Sequence, residues 1–135
     1  MTFGSRHISV SIDRPADDVY AFVSDPRNLP RWAAGLGGSI ELVEGEWIAQ
    51  SPMGRIKVAF ADENELGVLD HDVTVESGET FSNPMRVVPN HDGSEVVFTL
   101  YRRPEMSAEE FDEDARVVLA DLRTLKGLLE GRSTA

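Results

Sequence analysis

His71 is the side chain in this sequence with the clearest potential for chemistry. It lies in the stretch LDHDVTV, where alternation places His71 on the same face of a strand as Leu69 and Val73. An imidazole that faces a protein interior can bond a ligand oxygen or transfer a proton near neutral pH, which makes it the catalytic candidate if the protein is an enzyme. Asp70 and Asp72 then point to the opposite face, so the three side chains cannot chelate one metal ion. The alternative is a buried histidine that only bonds a backbone group.

Other motifs in the chain give little indication of catalysis. His7, His71 and His91 fall on separate predicted elements, so no metal site is expected. No cofactor is expected either. The stretch GLGG at residues 35–38 lacks the spacing of a dinucleotide-binding loop, and no phosphate-binding loop or Gly-x-Ser-x-Gly motif occurs. Cysteine is absent, which excludes a thiol nucleophile and a disulfide framework.

Size and charge narrow the class of protein. The chain has 135 residues, of which 41% are hydrophobic and 27% charged, so we expect one soluble globular domain over residues 1–135. A formal net charge of −11 opposes binding to nucleic-acid phosphates, and no nucleic-acid partner is expected. No apolar run reaches the length of a signal peptide or membrane span, so we expect a cytoplasmic protein. We expect it to be a monomer or a homodimer.

The most evident element around His71 is a long amphipathic helix predicted for Ser107–Glu130. Ser107 and Glu110 have the spacing of a capping box, and acidic residues precede basic ones as the helix dipole favours. The acidic cluster Glu109–Asp114 is therefore better explained as a solvent-facing helix start than as a cation site. The apolar stripe, which needs a large covering surface, consists of Phe111, Ala115, Val118, Leu122, Leu125 and Leu129.

The N-terminal part predicts one strand and two short helices. Arg6–Ile12 alternates like a half-buried strand, and Pro15 suits the start of a helix. Asp25-Pro26 ends that helix, and a second brief helix is predicted over Asn28–Ala34.

Six more strands are predicted before the long helix. Short turn signals separate them, which indicates an antiparallel meander, and Pro84 is expected at an edge or bulge. The predicted fold class is therefore α+β, with a curved seven-stranded antiparallel sheet around the C-terminal helix. The six strands are Ser39–Glu44, Glu46–Ser51, Arg55–Ala61, Val68–Glu76, Thr80–Val88 and Glu95–Arg102.

The stretch ISVSIDRPADDVYAFVSDPRNLPRW resembles the opening of the START-like, SRPBCC or polyketide-cyclase superfamily. The order of predicted elements is similar over nearly the whole chain. The resemblance implies a helix-grip fold, with an apolar cavity between the curved sheet and the long helix. The matching positions are Ile12, Pro15, Val19, Phe22, Asp25 and Trp32.

Several residues are candidates for the wall of this implied cavity. Trp32 would lie over one mouth, although a core tryptophan whose N–H bonds a carbonyl is the alternative. Strand parity turns Asn83 inward as a second polar contact beside His71. The remaining candidates, which can equally be ordinary core residues, are Met53, Phe60, Met85, Phe98 and Tyr101.

Three functions are compatible with these features. The leading hypothesis is binding of a small hydrophobic or aromatic metabolite, with His71 and Asn83 orienting its polar end. The second is a polyketide cyclase or dehydratase, in which His71 transfers protons, although no acid–base partner for it is evident on the inward face. The third is a protein-interaction module similar to the co-chaperone members of the superfamily.

Overall fold

The computed structural model describes residues 1–34, 39–52 and 54–131, so residues 35–38 and Met53, which figured in the sequence predictions, lie outside the described part. The described elements follow the predicted order of a strand, short helices, a series of strands and a long helix. Their bounds are β1 Gly4–Ile12, α1 Ala16–Val23, a 3-10 helix Pro26–Asn28, α2 Leu29–Trp32, β2 Ser39–Val43, β3 Glu46–Ser51, β4 Gly54–Phe60, β5 His71–Thr74, β6 Thr80–Asn83, β7 Met85–Asn90, β8 Gly93–Arg102 and α3 Ala108–Leu129.

The long helix α3 begins at the predicted capping box. The Ser107 hydroxyl accepts the Glu110 N–H at 3.0 Å, and the Glu110 carboxylate accepts the Ser107 N–H at 2.9 Å. These two bonds satisfy backbone groups that the first turn leaves without helical partners. Phe111, Leu122 and Leu125 of the stripe are buried, so the helix turns its apolar side to the interior as predicted.

The strands form two antiparallel sheets, which corrects the prediction of one seven-stranded sheet. Among the described residues, one sheet has the order β1-β8-β7 and the other the order β2-β3-β4-β5-β6. The predicted strand Thr80–Val88 is in fact two strands, β6 and β7, which belong to different sheets. The residue between them is Pro84, which has no N–H to donate to a ladder and so interrupts the pairing.

The segment that precedes β5 joins the two sheets. Val87 donates its N–H to the carbonyl of Gly67 at 3.0 Å, and Leu69 donates to the carbonyl of Met85 at 2.8 Å. Gly67 has φ +73°, and a Cβ at that position would lie 2.1 Å from the Val87 carbonyl oxygen. Only glycine allows this close approach of the two chains.

Asp70 reinforces the same joint from the outer face. Its carboxylate accepts the Met85 N–H at 2.9 Å and pairs with the Arg86 guanidinium at 2.9 Å. The hydrogen bond from Arg86 is the main reason that the pKa of Asp70 lies below its ordinary value. The outward orientation predicted for Asp70 thus has a structural role.

Helix α3 lies against β1, β8 and α2. The core beneath it contains side chains with no exposed surface, including Met85, Val96 and Leu125. None of the helices in the described ranges combines the length and the apolar composition needed to cross a membrane.

Candidate functional site

An apolar cavity of about 190 Å³ lies between α3 and the strands that carry His71 and Asn83. Helices α2 and α3 supply one side of it, and β5, β6 and β8 supply the other. Most of the lining is aliphatic or aromatic, with a few polar groups among these side chains, as is typical of small-molecule sites. The lining residues are Leu29, Trp32, Ala33, His71, Val73, Asn83, Phe98, Val118, Asp121 and Leu122.

His71 is 7% exposed, which confirms the inward orientation that the strand alternation predicted. Its Nδ1 lies 3.0 Å from the Leu69 carbonyl oxygen, and because a carbonyl only accepts, Nδ1 carries the hydrogen. No described residue bonds Nε2, which in the neutral ring has a lone pair available to an O–H or N–H donor. The ring stacks on Phe60 at a centroid distance of 4.9 Å and meets the Phe98 ring edgewise at 6.1 Å.

Burial lowers the pKa of His71 below its ordinary value of 6.5. The bond to Leu69 and the nearby carboxylates of Asp70 and Asp72 act in the opposite direction, but burial is the largest effect. The ring is therefore neutral at pH 7. A neutral ring with Nδ1 already bonded presents Nε2 as a hydrogen-bond acceptor or a base.

Asn83 pairs directly with His71 across the β5–β6 ladder. Its Nδ2 donates to the carbonyls of Phe81 at 3.3 Å and His71 at 3.4 Å. These bonds hold the amide in one orientation and leave Oδ1 as a further acceptor. Both residues line the cavity, so this pair of strands offers it two acceptors, the imidazole Nε2 and the amide Oδ1.

Asp121 is a cavity residue that the sequence analysis missed. Its Oδ1 accepts the Ala34 N–H at 3.2 Å, which ties α3 to the chain after α2. Burial raises the pKa of this carboxyl above its ordinary value of 3.8, and the bond from Ala34 only partly offsets that effect. The signal in the sequence was its position three residues after Val118, which places both side chains on one side of the helix.

Trp32 is 4% exposed and lines the cavity beside Leu29 and Ala33. Its Nε1 is buried without a hydrogen-bond partner in the described part of the chain. The carbonyl partner expected of an ordinary core tryptophan is therefore not found there.

The other predicted wall residues occupy different places. Phe98 lines the cavity, whereas Phe60 lies behind the His71 ring. Met85 has 0% exposure and packs in the core. Tyr101 is 40% exposed and lies in an outer groove, so the structure does not bring it to the cavity. In addition, no group of three or more His, Asp or Glu side chains in the described ranges is placed to hold a metal ion.

The architecture, a long C-terminal helix over antiparallel sheets with an apolar cavity between them, defines the helix-grip class. The sequence matches the profile of the polyketide cyclase/dehydrase and lipid transport family over residues 6–130. The chain belongs to this family, and the resemblance to the START-like or SRPBCC superfamily is confirmed.

Solved structures with the same fold come from proteins of different kinds. An uncharacterized protein from Bacillus thuringiensis is 16% identical, with a TM-score of 0.74 over 94% of this chain and 99% of that chain. The Zhui aromatase/cyclase from Streptomyces sp. R1128 is 16% identical, with a TM-score of 0.70 over 96% of each chain. Ara h 8.0201 is 16% identical, with a TM-score of 0.68 over 95% of this chain and 98% of that chain.

At these identities the similarity shows the fold alone. No curated protein matches the sequence. The function must therefore be argued from the cavity.

Proposed function

We propose that this protein binds a small aromatic or otherwise apolar metabolite in the cavity, with the ligand's polar group held by His71 and Asn83. Trp32 and Phe98 form part of the apolar wall around the ring of the ligand. The family match supports hydrophobic ligand binding or cyclase-type chemistry in general.

The observation that carries the proposal is the buried, neutral imidazole of His71. His71 lines the cavity, and its Nε2 is not used by the bond to Leu69, so a ligand hydroxyl that enters the cavity can donate a hydrogen bond to it. Because Nδ1 donates its hydrogen to the Leu69 carbonyl, Nε2 can accept a hydrogen bond from a ligand without a change of tautomer. The apolar walls around it lower the local dielectric constant, which strengthens such a hydrogen bond.

The size of the cavity indicates the size of the ligand. Its volume of about 190 Å³ is slightly larger than the roughly 150 Å³ apolar cavity that admits benzene in another protein. It is below the roughly 300 Å³ at which sites for drug-sized molecules begin. The cavity therefore suits one ring that carries a hydroxyl group, and phenol is an appropriate probe.

Calorimetric titration with phenol and benzene tests the proposal. We expect the wild-type protein to bind phenol about fivefold more tightly than benzene, since one net hydrogen bond contributes about 1 kcal/mol. His71→Leu should remove this preference and still bind benzene. His7→Leu is the matched control, because His7 is exposed on β1 and lies outside the cavity.

Val118→Phe tests the location of binding, because a phenyl group at that position occupies the cavity. Both affinities should fall at least tenfold in this variant. Two results contradict the proposal: a wild-type protein that binds neither compound, or a Val118→Phe variant that binds both as well as wild type.

A second candidate function is proton-transfer catalysis of the cyclase/dehydratase kind, and Asp121 is the observation that favours it. The sequence suggested no acid–base partner for His71, yet Asp121 lines the same cavity. Burial lowers the pKa of His71 and raises that of Asp121, so the two pKa values approach each other. In such a site the neutral imidazole accepts a proton, and Asp121 donates one in the fraction of molecules whose carboxyl is protonated.

Deuterium exchange into the methyl group of acetophenone, followed by NMR, tests this second function. His71 Nε2 would take a methyl proton, while the C–H electron pair forms the C=C bond of the enolate and the carbonyl π pair moves to oxygen. After the imidazolium exchanges this proton with D2O, it would return a deuteron to the carbon and regenerate the ketone. The wild type should exceed the buffer rate, and His71→Gln and Asp121→Asn should each lose most of that excess. Asp114→Asn is the control, since burial also raises the pKa of Asp114 but this residue does not line the cavity. Exchange at the buffer rate in wild type contradicts catalysis of this kind.

A further inference from the structure

A second depression, of about 390 Å³, lies between β6 and the end of β8. We call it the seam groove and define it by Phe3, Phe81, Asn83, Leu100, Tyr101 and Arg103. Asn83 also lines the cavity, so this residue borders both spaces. The seam groove is thus adjacent to the candidate site.

The backbone explains why the groove exists. β7 pairs with β8 from Met85 onward, and the Thr99 N–H bonds the carbonyl of Pro84 at 2.9 Å. Beyond that bond, residues 100–102 of β8 pair only with β1 in the described part of the chain. The break at Pro84 therefore leaves a gap between β6 and β8 that no ladder closes.

The backbone of Tyr101 adds polar groups to this gap. Antiparallel strands alternate the direction of their N–H and C=O groups from one residue to the next. Because Thr99 bonds Pro84 on the β7 side, the backbone groups of Tyr101 also point to that side. A ligand in the groove would meet these groups along its edge.

The side chains of the groove favour an aromatic occupant. The guanidinium carbon of Arg103 lies 4.3 Å from the centroid of the Phe81 ring. The Nε of Arg103 donates a hydrogen bond to Glu105 Oε1 at 3.0 Å. Phe3 and Tyr101 line the same groove and are 50% and 40% exposed. No carboxylate lines it among the described residues, although the chain has a net charge of −11. Exposed aromatic side chains next to a cation suit an electron-rich ring.

We propose that the cavity and the seam groove hold two parts of one ligand. The polar ring fills the cavity, and an aromatic or conjugated extension passes Asn83 and lies against Tyr101 and the Arg103–Phe81 stack. This proposal rests on the proposed function and adds that the ligand is longer than the cavity alone admits.

Titration calorimetry with phenol and para-phenylphenol tests the proposal. Wild-type protein should bind para-phenylphenol at least about tenfold more tightly than phenol, because the second ring gains apolar contacts. Tyr101→Ala and Arg103→Gln should each reduce that advantage about threefold or more and leave phenol binding within twofold. Val88→Ala is the matched control, since Val88 is 43% exposed on the neighbouring strand and lies outside the groove.

The outcomes separate the two proposals. The seam-groove proposal is overturned if phenol binds and para-phenylphenol binds no more tightly than phenol. It is also overturned if the higher affinity for para-phenylphenol persists in both Tyr101→Ala and Arg103→Gln. In either case the function proposed for the cavity stands. If the wild type binds neither compound, both proposals fail. If para-phenylphenol binds and Val118→Phe does not weaken it, the groove acts without the cavity and the two-part site is overturned.

Discussion

The two sheets meet the same helix in different ways. Against β1 and β8, α3 packs closely, and Val96 and Leu125 have no exposed surface. Opposite β5 and β6, the helix stands away from the sheet, and the cavity separates Val118 from Val73 and His71. One apolar stripe thus covers a packed core along one part of its length and an open space along another.

This difference separates the half of the protein that should provide most of its stability from the half in which we propose that a ligand binds. Close-packed side chains gain dispersion contacts and lose contact with water, so most of the stability should reside in the three-stranded half. Side chains beside the cavity lack partners on one side, and that space is available to a ligand. The following predictions test this division, from the largest expected effect to the smallest.

Shortening an apolar side chain of α3 to alanine should reduce the stability strongly where the helix packs on β1 and β8, and only slightly where it borders the cavity. Leu125→Ala is expected to lower the free energy of unfolding by about 2–5 kcal/mol, because it leaves a void in a packed core. Val118→Ala on the same helix should cost less than about 1 kcal/mol, since its side chain already borders empty space. Urea denaturation measures both values. Equal decreases in the free energy of unfolding of the two variants would contradict the distinction between the packed half and the cavity half.

The joint between the two sheets should depend on Gly67. Gly67→Ala is expected to lower the free energy of unfolding by about 2–3 kcal/mol, because the positive φ is strained and the Cβ collides with the Val87 carbonyl. Gly78→Ala is the control, since Gly78 has φ +92° but nothing lies within 4 Å of its Cβ position. Thermal unfolding of both variants checks the prediction, which is wrong if the two melting temperatures fall equally.

The buried imidazole of His71 should make the protein less stable in mild acid. Because the folded pKa lies below 6.5, the unfolded chain binds a proton first as the pH falls below about 6.5. The free energy of unfolding should then decrease by up to about 1.4 kcal/mol per pH unit until the folded pKa is reached. Denaturation curves between pH 7 and pH 5 for wild type and His71→Gln isolate this effect. A decline of the same slope in His71→Gln would assign it to another group.

The smallest effect is expected at Asp121. Its raised pKa means that the ionised carboxylate is penalised in the folded state, so stability decreases as the pH rises through that pKa. Asp121→Asn keeps an acceptor for the Ala34 N–H and removes the charge. It should increase the free energy of unfolding at pH 7 by a few tenths of a kcal/mol, because solvent screens this half-buried group. The gain should vanish near pH 4, and a loss of stability at pH 7 would contradict the prediction.

Sequence reasoning located the elements more reliably than the site. The capping box and the apolar spacing placed α3 within one residue of its observed ends, because both signals are local. The cavity was expected only through the family resemblance, and which candidates line it stayed a prediction. Trp32, His71, Asn83 and Phe98 line the observed cavity, whereas Tyr101 belongs to the groove.

The sequence by itself determined the helix, the strand periods and the inward direction of His71, since each depends on neighbours a few residues away. Only the tertiary structure decided that Pro84 divides a predicted strand between two sheets, that Asp121 reaches the cavity from the helix, and that Tyr101 does not. These three outcomes depend on how distant segments pack together. Long-range packing is set by the fit of whole surfaces, and no local period of the sequence encodes it.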